Sequence, residues 1–137
     1  MSASTRDFLQ LLGRILLSVI FLVAGIRKAL SYAGTVAYMT KFGVPFTEPL
    51  AVAAIALEIL GGLVLLIGWK TRSVAVLLAI FVAIVTPIFH AFWTVDAAGF
   101  ANQLNHFLKN LCVIGGLLYV VAGGAGKFSV DGADRRH

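Results

Sequence analysis

The chain has 137 residues, 60% of them hydrophobic and 12% charged, with a mean hydropathy of +0.96. Soluble domains carry about 45–50% apolar and about 25% charged residues, so an ordinary soluble domain, a disordered chain and a nucleic-acid-binding module are excluded. The net charge of +5, from 11 Lys and Arg against 6 Asp and Glu, reads in such a chain as a trace of membrane topology rather than of an acidic partner.

Four apolar segments follow one another. The first covers 8–30, is interrupted by Arg14 and closes on Arg27 and Lys28. Its length and polar start fit a retained membrane helix rather than a cleaved signal. Between it and the second span, Tyr32, Val36, Met39 and Phe42 recur at spacings of four and three, and Gly43-Val44-Pro45 ends any helix there. This predicts an interfacial half-helix on the bilayer surface. The second span, 50–68, carries one charge, Glu58. The third, 73–92, carries none but holds Pro87 and His90. The fourth, 107–123, opens on Lys109 and Asn110. The spans are 17 to 23 residues long, within the range of roughly 17–25 that crosses a bilayer, and all of 1–137 reads as one membrane domain. The tail after Gly123 is expected to be a solvated terminus.

The predicted fold is therefore all-α, a four-helix transmembrane bundle. One side collects Arg6, Lys70, Arg72, Lys127, Arg135 and Arg136, the other Arg27, Lys28, Lys41 and Lys109. The excess of basic residues on the first side places both termini in the cytoplasm. Gly61-Gly62-Leu63 in the second span echoes Gly115-Gly116-Leu117 in the fourth. Paired small residues let helix backbones approach closely in lipid, which marks both faces as interior. The lone cysteine, Cys112, permits no disulfide within the chain and no Cys-x-x-Cys pair, and reads as a small buried hydrophobe.

An ionisable side chain at the centre of a membrane helix costs at least ~2.5 kcal/mol, so each one asks for a partner or a use. Glu58 lies near the midplane, with Gly61, Gly62 and Leu65 on its own face. Arg14, Ser18, Phe21, Gly25 and Lys28 form one face of the first span, Thr86, His90 and Trp93 one of the third, and His106, Lys109 or Asn110, Val113 and Gly116 one of the fourth. These faces are expected to converge in the outer half, where Lys109 is within reach of the Glu58 carboxylate. In the bland reading Lys28, Arg27 and Lys109 snorkel to the outer interface, Arg14 snorkels to the inner one, and Glu58 is a structural staple. In the sharp reading the cluster binds a polar head on an apolar tail. Lys28, Lys109, His90 and Asn110 then donate hydrogen bonds, Trp93 offers a flat surface, and Glu58 exchanges protons. A quinone has these needs, as does a lipid head group. Haem ligation by His90 and His106 is disfavoured, because two histidines flanking one loop are common and no second pair exists. No metal site is expected, since ligand spacing of the His-x-x-Glu or Cys-x-x-Cys kind is absent.

At these residues the chain resembles the DoxX family of small bacterial inner-membrane proteins. The resemblance is carried by R-I-L-L-S-V-I-F-L-V-A-G-I-R-K-A-L at 14–30, F-G-V-P at 42–45, E-I-L-G-G-L-V-L-L-I-G at 58–68 with K-T-R following, L-K-N-L-C-V-I-G-G-L-L at 108–118 and K-F-S-V-D at 127–131. It implies a four-helix bundle in the plasma membrane, with Gly25, Lys28, Glu58, Gly61, Gly62, Lys109, Asn110, Gly115 and Gly116 at the family's motif positions. It also implies a redox-adjacent role, through relatives linked to quinone reduction and to thiol or quinone stress. Without a cysteine pair, such a role here requires bound quinone, a redox protein partner or a homo-oligomer. Two rivals stand beside it. One is a non-catalytic membrane subunit or assembly factor. The other is a small-solute transporter, for which four spans make a thin bundle unless it oligomerises.

Overall fold

The computed structural model describes residues 2–134, which form helices and turns. In chain order they are α1 (Ala3–Leu30), α2 (Tyr32–Lys41), α3 (Thr47–Ile67), α4 (Thr71–Phe89), a 3-10 turn (Phe92–Thr94), α5 (Ala97–Gly123) and α6 (Val130–Asp134). Four of them, α1, α3, α4 with its 3-10 extension, and α5, are long and apolar enough to cross a membrane. Arg135 and Arg136 of the basic-residue count lie outside the described residues.

Two helices begin earlier than hydropathy alone suggests, because their first turns are polar and capped. Ser2 caps α1, its hydroxyl accepting from Thr5 N at 3.2 Å. Asp96 caps α5 ten residues ahead of the apolar run, its Oδ1 accepting from Gly99 N at 2.9 Å. At 27 residues α5 is about 40 Å long. That exceeds the roughly 30 Å hydrocarbon thickness, so part of it stands beyond the apolar layer. Pro87 has no N–H for the carbonyl four residues back, and α4 stops two residues after it, at Phe89.

The connection between α1 and α3 contains the expected separate half-helix. α2 ends where Gly43 takes a left-handed φ of 72°. Its Met39 is buried, Tyr38 stacks on Phe89 of α4 with centroids 5.5 Å apart, and Phe42 meets the same ring edge-on at 5.3 Å. α2 therefore closes the end of the bundle where α1 and α4 finish and α3 and α5 start.

α1 packs mainly on α3 and α4 mainly on α5, while contacts of α3 with α4 and of α1 with α5 complete the bundle. The core is small: Phe21, Leu65, Ala75, Leu78, Ala79, Val82 and Leu117. Most remaining large apolar side chains point outward, Leu16, Leu60 and Tyr119 among them, as a bundle bathed in lipid requires. Arg14, Ser18, Phe21 and Gly25 are the buried residues of α1, and Ala51, Glu58, Gly61, Gly62 and Leu65 those of α3. Cys112 is exposed. The expectation of a buried thiol is corrected, because α5 turns most of its surface outward and buries only Leu117 among the described residues.

The glycines divide in an informative way. A Cβ on Gly25 would lie 2.7 Å from Ile59 Cγ1 and 3.2 Å from the Ile59 backbone nitrogen, so α1 and α3 touch backbone to backbone there. On Gly61 it would meet Leu78 at 2.9 Å, on Gly62 Leu22 at 3.0 Å and on Gly116 Leu17 at 3.0 Å. On Gly115 it would meet nothing within 4 Å. The expectation of close packing at Gly115 is thus corrected: the α5 glycine that touches a neighbour is Gly116. The echo between the two glycine pairs is also not positional, since Leu63 is exposed and Leu117 fully buried.

At the opposite end from α2, two further expectations change. Arg14 does not snorkel. It is 1% exposed and donates from Nη1 to Leu65 O at 3.3 Å and Leu66 O at 2.9 Å, and from Nη2 to Phe128 O. The last carbonyls of a helix lack partners within it, and a guanidinium from another helix supplies them here. Nor is the segment after Gly123 a solvated tail. It folds back onto the α3–α4 turn, where Gly68 has a φ of 74°. Asp131 N donates to Gly68 O at 2.9 Å, and the Asp131 carboxylate accepts from Lys70 N and Thr71 N, each at 2.8 Å. One segment therefore caps the end of α3 and the start of α4.

Candidate functional site

In the half of the bundle nearest α2, the polar residues pair off in three sets. The first joins α1 to α3. Lys28 Nζ lies 2.7 Å from both Oε1 and Oε2 of Glu58. The lysine side chain is 37% exposed and the glutamate 7%, so the carboxylate is sealed and its partner opens to one side. Gly25 makes this possible, for the Glu58 Cβ would stand 3.0 Å from a Cβ at that position. The carboxylate thus meets Lys28 and not Lys109, because α1 is the direct neighbour of α3 and α5 is not.

The second set joins α4 to α5 in the interior. Asn110 Nδ2 donates to Thr86 Oγ1 at 2.9 Å, and Thr86 Oγ1 donates back to Val82 O at 2.6 Å. Ser and Thr hydroxyls commonly make this bond to the carbonyl four residues earlier, and here it fixes Thr86 as the acceptor that Asn110 needs.

The third set lies nearer the helix ends and is partly open. His90 and His106 stack with centroids 4.9 Å apart and planes 16° from parallel. His90 Nδ1 is 3.0 Å from Gln103 Oε1, and Lys109 Nζ is 3.1 Å from His106 Nδ1. Beside them Phe92 meets Trp93, Phe100 and Phe107 edge-on at 5.0, 5.7 and 5.3 Å. Trp93 is 58% exposed, an amphipathic ring at a helix end as is usual at a membrane interface.

The four faces expected to line one cavity thus form an ion pair, an amide–hydroxyl bridge and a histidine–lysine cluster. Two open clefts, of about 450 and 400 Å³, lie at the other end beside the folded-back segment. The first is lined by Gln10, Gly126 and Lys127 among others, the second by Lys70, Arg72 and Ser73. Gln103 was not singled out in the sequence, although it shares a helical face with His106, Asn110 and Val113 at offsets of 0, 3, 7 and 10. The contacts made by Phe128 and Asp131 had no signal in the sequence beyond their place in the K-F-S-V-D run.

A helical bundle with four spanning segments and an ion pair held between two of them defines a multi-pass membrane protein. Residues 9–91, from within α1 through the end of α4, match the family model DoxX. The chain belongs to the DoxX family. Inner membrane protein YqjF of Escherichia coli is 40% identical over 129 residues, covering 92% of each chain. Inner membrane protein YphA of the same organism is 33% identical over 130 residues, covering 93% of this chain and 91% of that one. A Surfeit locus protein 4 homolog of Schizosaccharomyces pombe is 33% identical over 128 residues, which span 92% of this chain but 37% of that protein. No solved structure matches the chain. With these relatives and four spanning helices, the chain is a multi-pass inner membrane protein.

Proposed function

We propose that the chain binds the head group of a quinone or a related amphiphile at the α2 end of its bundle, and acts in a membrane redox or quinone and thiol-stress complex. The observation that carries this reading is the gathering of Lys28, Glu58, His90, His106 and Lys109 toward one end of a chain in which only 12% of residues are charged. Intramembrane ionisable groups mark sites of function by default. Each partner here keeps capacity to spare. An ammonium has three hydrogens and an amide nitrogen two, so Lys28, Lys109 and Asn110 can each give one more to a head group. Glu58, held by Lys28 alone among the described residues, is the group that accepts a proton, and Trp93 is the flat surface beside the ring. The electron donor is then a redox protein partner or a further copy of the chain, and any enzymatic role is that of a quinone-linked oxidoreductase subunit. In this reading the end bearing Lys70, Arg72 and Lys127 faces the cytoplasm.

The test is an oxidised-minus-reduced spectrum, with analysis of the organic extract, on protein purified with its native lipids. Quinone at a stoichiometric level is expected, and Glu58→Gln is expected to keep the fold and lose quinone turnover. One observation favours a second reading: each of these polar groups already has a partner within the protein. A non-catalytic membrane subunit whose polar cluster only locks the bundle predicts a featureless spectrum, no quinone in the extract, and a Glu58→Gln variant altered in stability alone.

A further inference from the structure

His90 and His106 differ in a way that the spacing of histidines in the sequence does not reveal. The Lys109 ammonium can only donate, so its 3.1 Å contact requires a bare Nδ1 on His106 and leaves that ring's hydrogen on Nε2. Gln103 meets His90 through its amide oxygen at 3.0 Å. An amide oxygen can only accept, so His90 carries its hydrogen on Nδ1 and a free lone pair on Nε2. Both rings are half-buried. Neither Nε2 takes a partner among the described residues, and neither counts among the buried polar atoms that lack one. Both Nε2 atoms are therefore accessible. Two near-parallel imidazoles with centroids 4.9 Å apart thus carry one accepting and one donating Nε2. In the chain His90 precedes Phe92 and Trp93, and His106 precedes Phe107, which forms one aromatic cluster with Phe92 and Trp93.

We infer that this pair reads the oxidation state of a ring oxygen, with His90 Nε2 accepting the hydroxyl hydrogen of a quinol and His106 Nε2–H donating to the carbonyl of a quinone. The assignment rests on the head-group reading above and names the groups that make it. A carbonyl has no hydrogen to give, so the oxidised head engages His106 alone. A quinol hydroxyl both gives and accepts, as a lipid hydroxyl does, so the reduced head engages both rings and the two oxidation states differ at His90.

Two measurements test this. In ¹⁵N spectra of histidine-labelled protein in phosphatidylethanolamine–phosphatidylglycerol nanodiscs, the two rings should show opposite neutral tautomers; identical tautomers overturn the inference. Calorimetric titration of the same nanodiscs under argon, with decyl-benzoquinone and its quinol, should separate the roles. His90→Phe is expected to weaken the quinol about tenfold, the worth of one hydrogen bond, and to leave the quinone within about twofold. His106→Phe is expected to weaken both forms by a similar factor, because the quinol hydroxyl oxygen accepts from its Nε2–H as the quinone carbonyl does. Gln103→Leu keeps both rings and releases only the His90 tautomer, and it should weaken the quinol by a few-fold and leave the quinone within about twofold, which carries the test if His90→Phe does not fold. Wild-type protein that binds neither form overturns the proposed function and this assignment together. Wild-type binding with quinone and quinol weakened equally by His90→Phe, or with neither weakened by either histidine variant, overturns the assignment and leaves the head-group reading standing.

Discussion

Lys28 and Glu58 show how an ion pair persists where its desolvation is expensive. Each charge taken out of water costs several kcal/mol, and attraction offsets this only when the geometry is good. Here both carboxylate oxygens sit 2.7 Å from one ammonium. The lysine stays partly open, which lowers its own cost. Removing one partner should therefore harm the protein more than removing both. Lys28→Met is expected to destabilise by about 3–5 kcal/mol, and the Lys28→Met, Glu58→Leu double variant by distinctly less. A double-mutant cycle on unfolding in detergent checks this, and additive losses would show the pair to be energetically silent.

The contrast between Gly25 and Gly115 tests the packing of whole helices. A methyl at Gly25 runs into Ile59, including its backbone nitrogen, and backbone cannot step aside. Gly25→Ala should force α1 off α3 and cost on the order of 1–3 kcal/mol, the usual range for overpacking. Gly115→Ala meets open space and should be neutral or gain up to about 1 kcal/mol from helix propensity. Thermal unfolding of the two variants side by side gives the answer. If Gly25→Ala proves silent, the close approach of α1 to α3 is not tight in the membrane. The inward faces of α1 and α3 were legible in the sequence because the 3.6-residue period places Arg14 to Gly25, and Glu58 to Leu65, on single stripes. Gly115 was misread because a glycine pair states that a face is small without saying which of the two touches a neighbour. The pairing of Glu58 was ambiguous for a related reason. Depth in the membrane follows from counting residues, whereas the choice between Lys28 and Lys109 depends on which helices are neighbours, and no local pattern encodes that. The partners of Arg14 are not legible because they are backbone carbonyls, which any sequence supplies.

For the molecule as a whole, the segment after α5 matters more than its length suggests. Asp131 gives one oxygen to Lys70 N and the other to Thr71 N, the work of a helix cap supplied from 60 residues away. Asp131→Asn keeps one accepting oxygen and should cost about 1 kcal/mol, as for other caps. Asp131→Ala should cost more, with the losses read from unfolding and from protease nicking of the α3–α4 turn. Equal stability of both variants and the parent would show that the turn holds itself. The two ends of the bundle are thus secured differently, by an aromatic lid of α2 on Phe89 at one end and by a polar clasp at the other.

The hydrogen bond from Arg14 to Phe128 also orders events during biosynthesis. Arg14 lies on α1, which is synthesised before any of the guanidinium's acceptors. Leu65 and Leu66 arrive about 50 residues later and Phe128 only after the last span has been made. Until then the guanidinium must keep water or lipid phosphate as company, so the first helix cannot settle to its final depth. A protein truncated before residue 128 keeps the Leu65 and Leu66 acceptors of Arg14 but lacks the third, so its guanidinium is left with a donor to satisfy from water or lipid.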